Sequence, residues 1–414
     1  RNIPIVYVMT DIVEENIQFW EEHQMLKPFF DKGIADSAYY DHLSTKEIVL
    51  RHSKKTLRSS SIKNPALLIG NYFFDTLPQD LFRMKDGVLE EGRLSLSVEN
   101  RKERELSDPT FIEEMESSYS YQKIDKDAVY YESDPILENI LRNYETSFKN
   151  THFLLPVGAF KVMNYFKELT NGSYALLVGD QGITYPSQIA EGKEPVISKH
   201  ASFSIPVCYH AIAAYFLEQG GMGLLSSGLS TKFVVAYGVL GIEEEFLRES
   251  YFAFKQNIDH YEPQDYWSLI NGIEDKLESF SLESILLFLK IGDWDPCNFV
   301  LFFEEIRKKL KSAEPTMKYQ FLLAFEKIWE KLFVVTSEEA DVILNLGVLC
   351  VEMQCFKEAI VYFDSALSYR PDSAAAYFNK GVCYSFDAQS QKAREAFQRA
   401  EEIDPNFSLK KMGK

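Results

Sequence analysis

Polar side chains that could do chemistry follow three short apolar runs in the first half of the chain. Asp11 ends the first run, Asp36 and Ser37 belong to the second, and Asn71 and Asp75 follow the third. Ligands of open α/β sheets bind at the carboxyl ends of the strands. A carboxylate there can accept both hydroxyls of a ribose, and a second can accept from an adenine amino group. The pattern predicts a nucleoside site with a reacting centre beside Asn71.

Each of these residues also has a structural explanation. Asp11 could cap a helix that starts near Val13. Asp36 could be an ordinary acid of a loop, and Asn71 and Asp75 could form a turn. Their order and spacing along the chain are what favour a common site.

The elements that would position these residues alternate in type. Apolar runs at 5–11, 66–75 and 174–182 are separated by segments of helical period. Such runs are typical of a parallel sheet covered on both faces, so we expect an α/β domain over residues 1–240. Residues 84–150 are acidic and weakly periodic, which indicates an insertion between two strands that could serve as a lid.

One segment resembles a known family. GNYFFDTLPQDLF (70–82) is similar to the NEFFDALP segment of the MidA-like class I methyltransferases. The matching residues are Asn71, Phe73, Phe74, Asp75, Leu77 and Pro78. Tyr72 replaces the family's Glu, and in VGDQG (178–182) Gln181 replaces the Tyr of an Asp-Tyr-Gly turn. The resemblance covers roughly residues 5–240 and implies a Rossmann-like methyltransferase sheet that binds S-adenosyl-L-methionine.

The resemblance gives the candidate residues their roles. Five are expected to contact the cofactor: Asp11, Asp36, Ser37, Asn71 and Tyr72. Three are expected to form the catalytic group: Asn71, Asp75 and His200. His200 lies on a loop that could reach the acceptor, whereas His210 has helical spacing with Ala214 and Leu217 and is interpreted as a packed or capping residue. The implied acceptor is an arginine-type nitrogen of a protein, and a small-molecule acceptor stays open.

The family's glycine-rich loop follows a strand that would precede the one ending at Asp11. Only RNIPI stands before that strand here. We expect the chain to be a fragment or a processed product, N-terminally incomplete. The alternative is that the element has been lost and that the chain is a catalytically silent interaction scaffold with a methyltransferase-like sheet.

The last third of the chain is helical and repetitive. Residues 241–335 have helical period and are interpreted as a helical bridge that could consist of degenerate repeats. Residues 336–414 contain two units offset by 34 residues. The identical pairs are Gly347/Gly381, Ala359/Ala393, Phe363/Phe397, Ala366/Ala400 and Pro371/Pro405. This period and these small residues resemble the tetratricopeptide repeat. The repeats are expected to recruit a protein partner or substrate.

Composition excludes several classes. The 414 residues carry a net charge of −18, which disfavours nucleic acids and anionic membranes as partners. The five cysteines include no CxxC and suit free thiols in a reducing, cytoplasmic compartment. There is no HExxH for a metal, no GxxxxGK[ST] for a nucleotide and no GxSxG for a hydrolase. No apolar run is long enough for a transmembrane helix, and the oligomeric state stays open.

Overall fold

The apolar runs at Tyr7–Asp11, Ala35–Tyr39, Ala66–Asn71 and Tyr174–Asp180 all form strands. The computed structural model describes residues 5–98, 110–199, 202–228 and 230–407. The chain divides into two compact units, Arg1–Ser268 and Leu269–Lys414. The first unit contains the sheets, and the second is helical.

The first unit begins with β1 (Tyr7–Asp11), α1 (Glu14–Glu22), α2 (Lys27–Asp31), β2 (Ala35–Tyr39), β3 (Ile48–Val49), β4 (Thr56–Leu57) and β5 (Ala66–Asn71). It continues with β6 (Asp80–Lys85), β7 (Val88–Ser97), α3 (Thr110–Glu113), β8 (Glu116–Lys123), α4 (Pro135–Ser147), β9 (Thr151–Leu155) and α5 (Val157–Leu169). Then come β10 (Tyr174–Asp180), β11 (Gly182–Ile183), α6 (Pro186–Ala190), β12 (Ser198–Lys199), β13 (Phe203–Ser204), β14 (Val207–Cys208), α7 (Tyr209–Glu218), β15 (Met222–Leu225), β16 (Val234–Leu240) and α8 (Glu244–Phe254). Helix α9 (Pro263–Ile273) contains the boundary between the units.

The predicted Rossmann-like parallel sheet is not confirmed, because its strands lie in two separate sheets. Strands β1 and β2 form a parallel pair, with Tyr7 opposite Ala35. Strand β5 is parallel to β10 in a mixed sheet of order β15-β16-β10-β5. Strands β15 and β16 are antiparallel, and the sequence analysis had not identified them. Short connections favour such antiparallel pairing.

The segment interpreted as an insertion folds into a sheet of its own. Strands β6 to β9 form an antiparallel sheet of order β8-β7-β6-β9, which begins at Asp80 and ends at Leu155. Phe82, Met84 and Phe153 from this sheet are buried in the main core of the first unit. The weak periodicity of the sequence therefore concealed an ordered sheet whose first strand starts before residue 84.

Helix α5 packs against both central sheets. Its Phe160 and Met163 belong to the large core that also contains Leu176 of β10. Leu169, at its end, belongs to a smaller core with Ala38 of β2. This helix therefore fixes the β1–β2 pair relative to the sheet that contains β5 and β10.

The second unit is a series of helices around one core. They are α10 (Leu282–Ile291), α11 (Pro296–Leu310), α12 (Pro315–Lys331), α13 (Ser337–Glu352), α14 (Phe356–Tyr369), α15 (Ala374–Phe386) and α16 (Ser390–Ile403). Phe302 of α11 and Phe325 of α12 are fully buried in the same core as Leu346 of α13. The helices before the repeats and the repeats themselves therefore share a core.

The repeated glycines lie where two helices meet. A Cβ atom added to Gly347 of α13 would lie 2.5 Å from the ring of Phe363 in α14. At the equivalent place in the second hairpin, a Cβ on Gly381 would lie 2.6 Å from Phe397. The 34-residue period thus corresponds to two helical hairpins with the same close contact, and only glycine leaves room for the ring.

Substituting alanine at Gly347 tests this contact. We expect Gly347→Ala to lower the free energy of unfolding of the second unit by about 1–3 kcal/mol, because the added methyl group overpacks a filled core. Gly272→Ala is the matched control, since Gly272 is also helical and a Cβ there meets nothing within 4 Å. Urea unfolding of both variants gives the comparison, and equal stability of the two would contradict the close packing at Gly347.

Candidate functional site at the carboxyl ends of β5 and β10

Two buried carboxyl groups meet where β5 and β10 end. Asp75 is 6% exposed and Asp180 is fully buried. The backbone N–H of Asp75 donates to Oδ2 of Asp180 over 3.1 Å, and the N–H of Gln181 donates to Oδ1 over 2.8 Å. Burial, and then the charge of Asp75, raise the pKa of Asp180 to about 7. The two acids therefore form one electrostatic unit.

A glutamine holds this pair to a neighbouring loop. The Nε2 atom of Gln181 donates to Oδ2 of Asp75 over 3.2 Å and to Oγ of Ser204 over 2.9 Å. The N–H of Ile205 donates to the carbonyl of Asp75 over 3.0 Å. The residue that departs from the family's Asp-Tyr-Gly turn thus connects both acids to the segment around Ser204.

Several buried polar atoms around the pair have no hydrogen-bond partner. They are Oδ1 of Asp75, Oε1 of Gln79 and the hydroxyl of Tyr209. Gln79 reaches the same loop, because its Nε2 donates to the carbonyl of Ile205 over 3.0 Å. Burial, and then the charges of Asp180 and Asp75, raise the pKa of the Tyr209 hydroxyl. Buried groups of this kind normally find a partner, so they indicate a place for a ligand or a proton.

The two predicted residues at the carboxyl end of β5 are exposed. Asn71 is its last residue, and Tyr72 is 59% exposed with a positive φ of 50°. Its N–H donates to the carbonyl of Gly179 over 3.0 Å, and its ring lies 5.6 Å from that of Phe233. A bulky residue with positive φ is strained, and such strain concentrates at functional sites. Asn71, Tyr72 and Asp75 therefore belong to one turn at this edge.

Asp11 is half-buried at the end of β1 and precedes helix α1. Its Oδ1 accepts from the N–H of Val13 over 2.8 Å, and its Oδ2 accepts from Nδ2 of Asn16 over 3.0 Å. The N-cap of α1 is Val13, which makes no side-chain cap bond, so these bonds form a turn just before the helix and do not confirm the capping explanation. They leave the carboxylate at the surface, so the predicted cofactor contact stays a prediction.

Asp36 and Ser37 are buried and engaged within the protein. Oδ1 of Asp36 accepts from the N–H groups of Ser37 and His52, each over 2.9 Å, and Oδ2 accepts from that of Ser53 over 3.0 Å. The hydroxyl of Ser37 donates to Glu21. The sequence could not show these bonds, by which Asp36 holds the 52–53 loop on β2 and Ser37 connects β2 to α1.

A substitution separates this structural role from ligand binding. We expect Asp36→Ala to lower the free energy of unfolding of the first unit by about 1–3 kcal/mol, because three backbone N–H groups lose their acceptor. Asp31→Ala, at an exposed position of α2, is the matched control and should change stability by less than about 0.5 kcal/mol. Thermal unfolding measures both. An Asp36→Ala protein as stable as Asp31→Ala would show that the carboxylate does not hold the loop.

Of the two histidines considered in the sequence, His200 and His210, the structure describes only His210. His200 lies outside the described residues, so its predicted role stays a prediction. His210 is half-buried in α7, and its Nδ1 lies 2.7 Å from the hydroxyl of Tyr144. Burial lowers the pKa of His210. It is a packed residue with a polar partner, as its spacing indicates.

The structure brings some of the predicted residues together and adds others. Phe73, beside Tyr72, and Val8 of β1 pack against the same small core, so the turn after β5 and the β1–β2 pair are neighbours. Asp180 belongs to the VGDQG segment (178–182) but was not among the site residues predicted from the sequence. The signal for Asp180 was the acid that ends a continuous apolar run, the same signal that identified Asp11.

Other kinds of site find no support in the described part of the chain. Among those residues, no group of three or more His, Cys, Asp or Glu side chains could hold a metal ion. No described helix is long and apolar enough to cross a membrane. All five cysteines are free thiols, and Cys208, Cys350 and Cys383 are buried.

Comparison with known proteins identifies the repeats. Residues 362–395, from α14 to α16, match the tetratricopeptide repeat family. The peroxisomal targeting signal receptor of Candida albicans is 27% identical over 113 residues, which cover 25% of this chain and 19% of the receptor. This chain thus spans about a fifth of that relative's length. The C-terminal region is therefore a helical region of tetratricopeptide-repeat type.

Solved structures of repeat proteins are similar to part of the chain. MamA is 17% identical, with 39% of this chain and 87% of MamA covered at a TM-score of 0.28. YrrB, described as a repeat protein with an unusual peptide-binding site, is 18% identical, with 37% and 74% covered at a TM-score of 0.27. Both likenesses are low over the whole chain. The description of the sheets in the first unit therefore depends on their strand pairing alone.

Proposed function

We propose that this chain is a protein-interaction scaffold whose tetratricopeptide repeats bind a partner protein. The observation that supports it most directly is the pair of equivalent helical hairpins, which the family match overlaps from within α14 to within α16. Repeat arrays of this kind bind extended or helical segments along the face made by successive first helices. The repeats here supply two such helices, α13 and α15.

The two first helices present the same polar residue at equivalent positions. Asn345 of α13 and Asn379 of α15 are 34 residues apart, and both are half-buried. Each is followed three residues later by a half-buried valine, Val348 or Val382. A carboxamide has two N–H donors and an acceptor. Nδ2 of Asn379 donates to the carbonyl of Ala375 over 2.9 Å, which leaves its second N–H and its oxygen to meet the backbone of a bound peptide. The valines beside them supply apolar contact.

Partner capture tests this proposal. The full chain, the double variant Asn345→Ala/Asn379→Ala and the control Gln398→Ala are immobilised and exposed to lysate, and bound proteins are identified by mass spectrometry. Gln398 is exposed on α16 and pairs only with Glu402 of its own helix. We expect a partner retained by wild type and by the control, and lost at least tenfold from the double variant. Equal recovery on all three proteins would contradict binding at α13 and α15.

A second candidate function is methyl transfer from S-adenosyl-L-methionine to a protein nitrogen. What favours it is the turn after β5, where the exposed Asn71 and the strained Tyr72 lie beside the buried Asp75 and Asp180. Parallel strands commonly bind ligands at such an edge. The bound cofactor would supply the methyl group. This chain's residues would orient the acceptor and exclude water.

The predicted cofactor residues fit this group in part. Asp36 and Ser37 are buried and use their polar atoms within the protein, so the more exposed Asp11, Asn71 and Tyr72 are the residues that remain to meet a nucleoside. Calorimetric titration with S-adenosyl-L-methionine tests the fit on wild type, Asp11→Ala and the control Asp31→Ala. We expect wild type and the control to bind alike and Asp11→Ala to bind about tenfold more weakly. Absence of binding to wild type would leave the scaffold as the function of this chain.

A further inference from the structure

The side chains around the two acids at the ends of β5 and β10 contain more hydrogen-bond acceptors than donors. Both oxygens of Asp180 accept backbone N–H groups, and Oδ2 of Asp75 accepts from Gln181. Oδ1 of Asp75 and Oε1 of Gln79 are buried acceptors without a donor. The nearby hydroxyl of Tyr209 is buried and unpartnered as well. Among these three groups the Tyr209 hydroxyl is the one donor, so acceptors outnumber donors, and a buried acceptor without a donor is destabilising.

We propose that Asp75 and Asp180 form a proton-linked binding site, which holds one shared proton when empty and exchanges it for a cationic nitrogen group of a ligand. Oδ1 of Asp75 would accept from the cation first. Oε1 of Gln79 and the hydroxyl oxygen of Tyr209 would accept from its remaining N–H groups. The inference goes beyond the scaffold function and holds whether or not the chain transfers methyl groups.

The exchange balances in charge and in protons. Two carboxylates side by side in a buried place cannot both stay ionised without a counter-charge, so one proton remains between them. Burial and the charge of Asp75 raise the pKa of Asp180 to about 7. When a cation enters, it supplies the counter-charge and the proton passes to the buffer. A neutral ligand of the same shape releases no proton.

The groups that face the pair come from three elements. The turn after β5 supplies Asp75, β10 supplies Asp180, and α7 supplies Tyr209. The charged group that acts on Asp180 is Asp75. Gln181 and Ser204 are hydrogen-bonded to each other beside the pair, and both are half-buried.

Calorimetry with small cations tests this inference on the full chain. The probes are N-acetyl-lysine methylamide and N-acetyl-arginine methylamide, and their neutral counterparts are the norleucine and citrulline derivatives. From a pKa of about 7, we expect the apparent affinity for a cation to rise about 50-fold between pH 5 and pH 7. At pH 6, titration in buffers of different ionisation enthalpy should show the release of close to one proton. The two cations distinguish an ammonium from a guanidinium ligand.

Variants distinguish binding at the Asp75–Asp180 pair from general attraction of a cation to the negatively charged protein. Asp75→Asn should abolish proton release and flatten the pH profile, and its circular dichroism verifies folding. Tyr209→Phe keeps both acids and should weaken binding several-fold with the pH profile unchanged. Binding without proton release, equal binding of the neutral probes, or no binding of either cation at pH 8 would each overturn the inference. Failure of partner capture by the repeats would leave it untouched, because the two sets of residues differ.

Discussion

Replacing Phe363 by alanine is expected to lower the free energy of unfolding of the second unit by about 3–5 kcal/mol. The ring is fully buried in the core of that unit and fills the space left by Gly347. Its removal forfeits apolar burial and leaves a cavity that the helix pair cannot close, because α13 and α14 are fixed by other contacts. Hydrogen exchange of the α13 and α14 amides, together with urea unfolding, measures the loss.

The second repeat provides a control at the equivalent position. Phe397 meets Gly381 as Phe363 meets Gly347, yet Phe397 is only half-buried. Phe397→Ala should therefore cost about 1–2 kcal/mol, less than its counterpart, because apolar stabilisation scales with buried area. Tyr319→Ala, at a ring of α12 that is 61% exposed, should change stability by less than about 0.5 kcal/mol. Equal losses for Phe363 and Phe397 would show that repeat position, and not burial, sets the energy.

The stability of the first unit is expected to fall as pH rises from about 4 to about 7, and Asp75→Asn should remove this slope. The pKa of Asp180 is raised from 3.8 to about 7 in the folded protein, so the folded state binds more protons than the unfolded state within this range. Stabilisation by that proton is complete below the unfolded pKa and is lost as pH passes the folded one. The expected loss is about 1.4 kcal/mol per pH unit and at most about 4 kcal/mol in total.

Two conservative substitutions at the pair should differ in effect. Asparagine at 75 can donate to Asp180 and still accept from Gln181, as a protonated Asp75 would, so Asp75→Asn should be at least as stable as wild type at pH 7.5. Asparagine at 180 turns an NH₂ group toward one of two backbone N–H donors and should cost about 1–3 kcal/mol. Urea unfolding at half-unit pH intervals measures both. If Asp75→Asn keeps the wild-type slope, the shared proton is refuted.

Much of the second unit could be predicted from the sequence, because its contacts are local. Gly347 and Phe363 belong to consecutive helices, so a fixed spacing suffices to bring them together. The 34-residue period therefore predicted both hairpins, and the family match supports the repeat. The helices before the repeats were predicted as helices. Their inclusion in the repeat core was not evident, because it depends on which faces meet.

In the first unit the sequence determined which residues end the strands, and the tertiary structure decided what those residues do. Asp11, Asn71 and Asp75 were identified because a polar residue after a continuous apolar run is a local signal. Burial, and then the charge of a partner 105 positions away, raise the pKa of Asp180, and Asp36 is committed to backbone groups 16 and 17 positions away. Burial and hydrogen bonding between distant segments arise only when the sheets and α5 pack, since no local spacing encodes them.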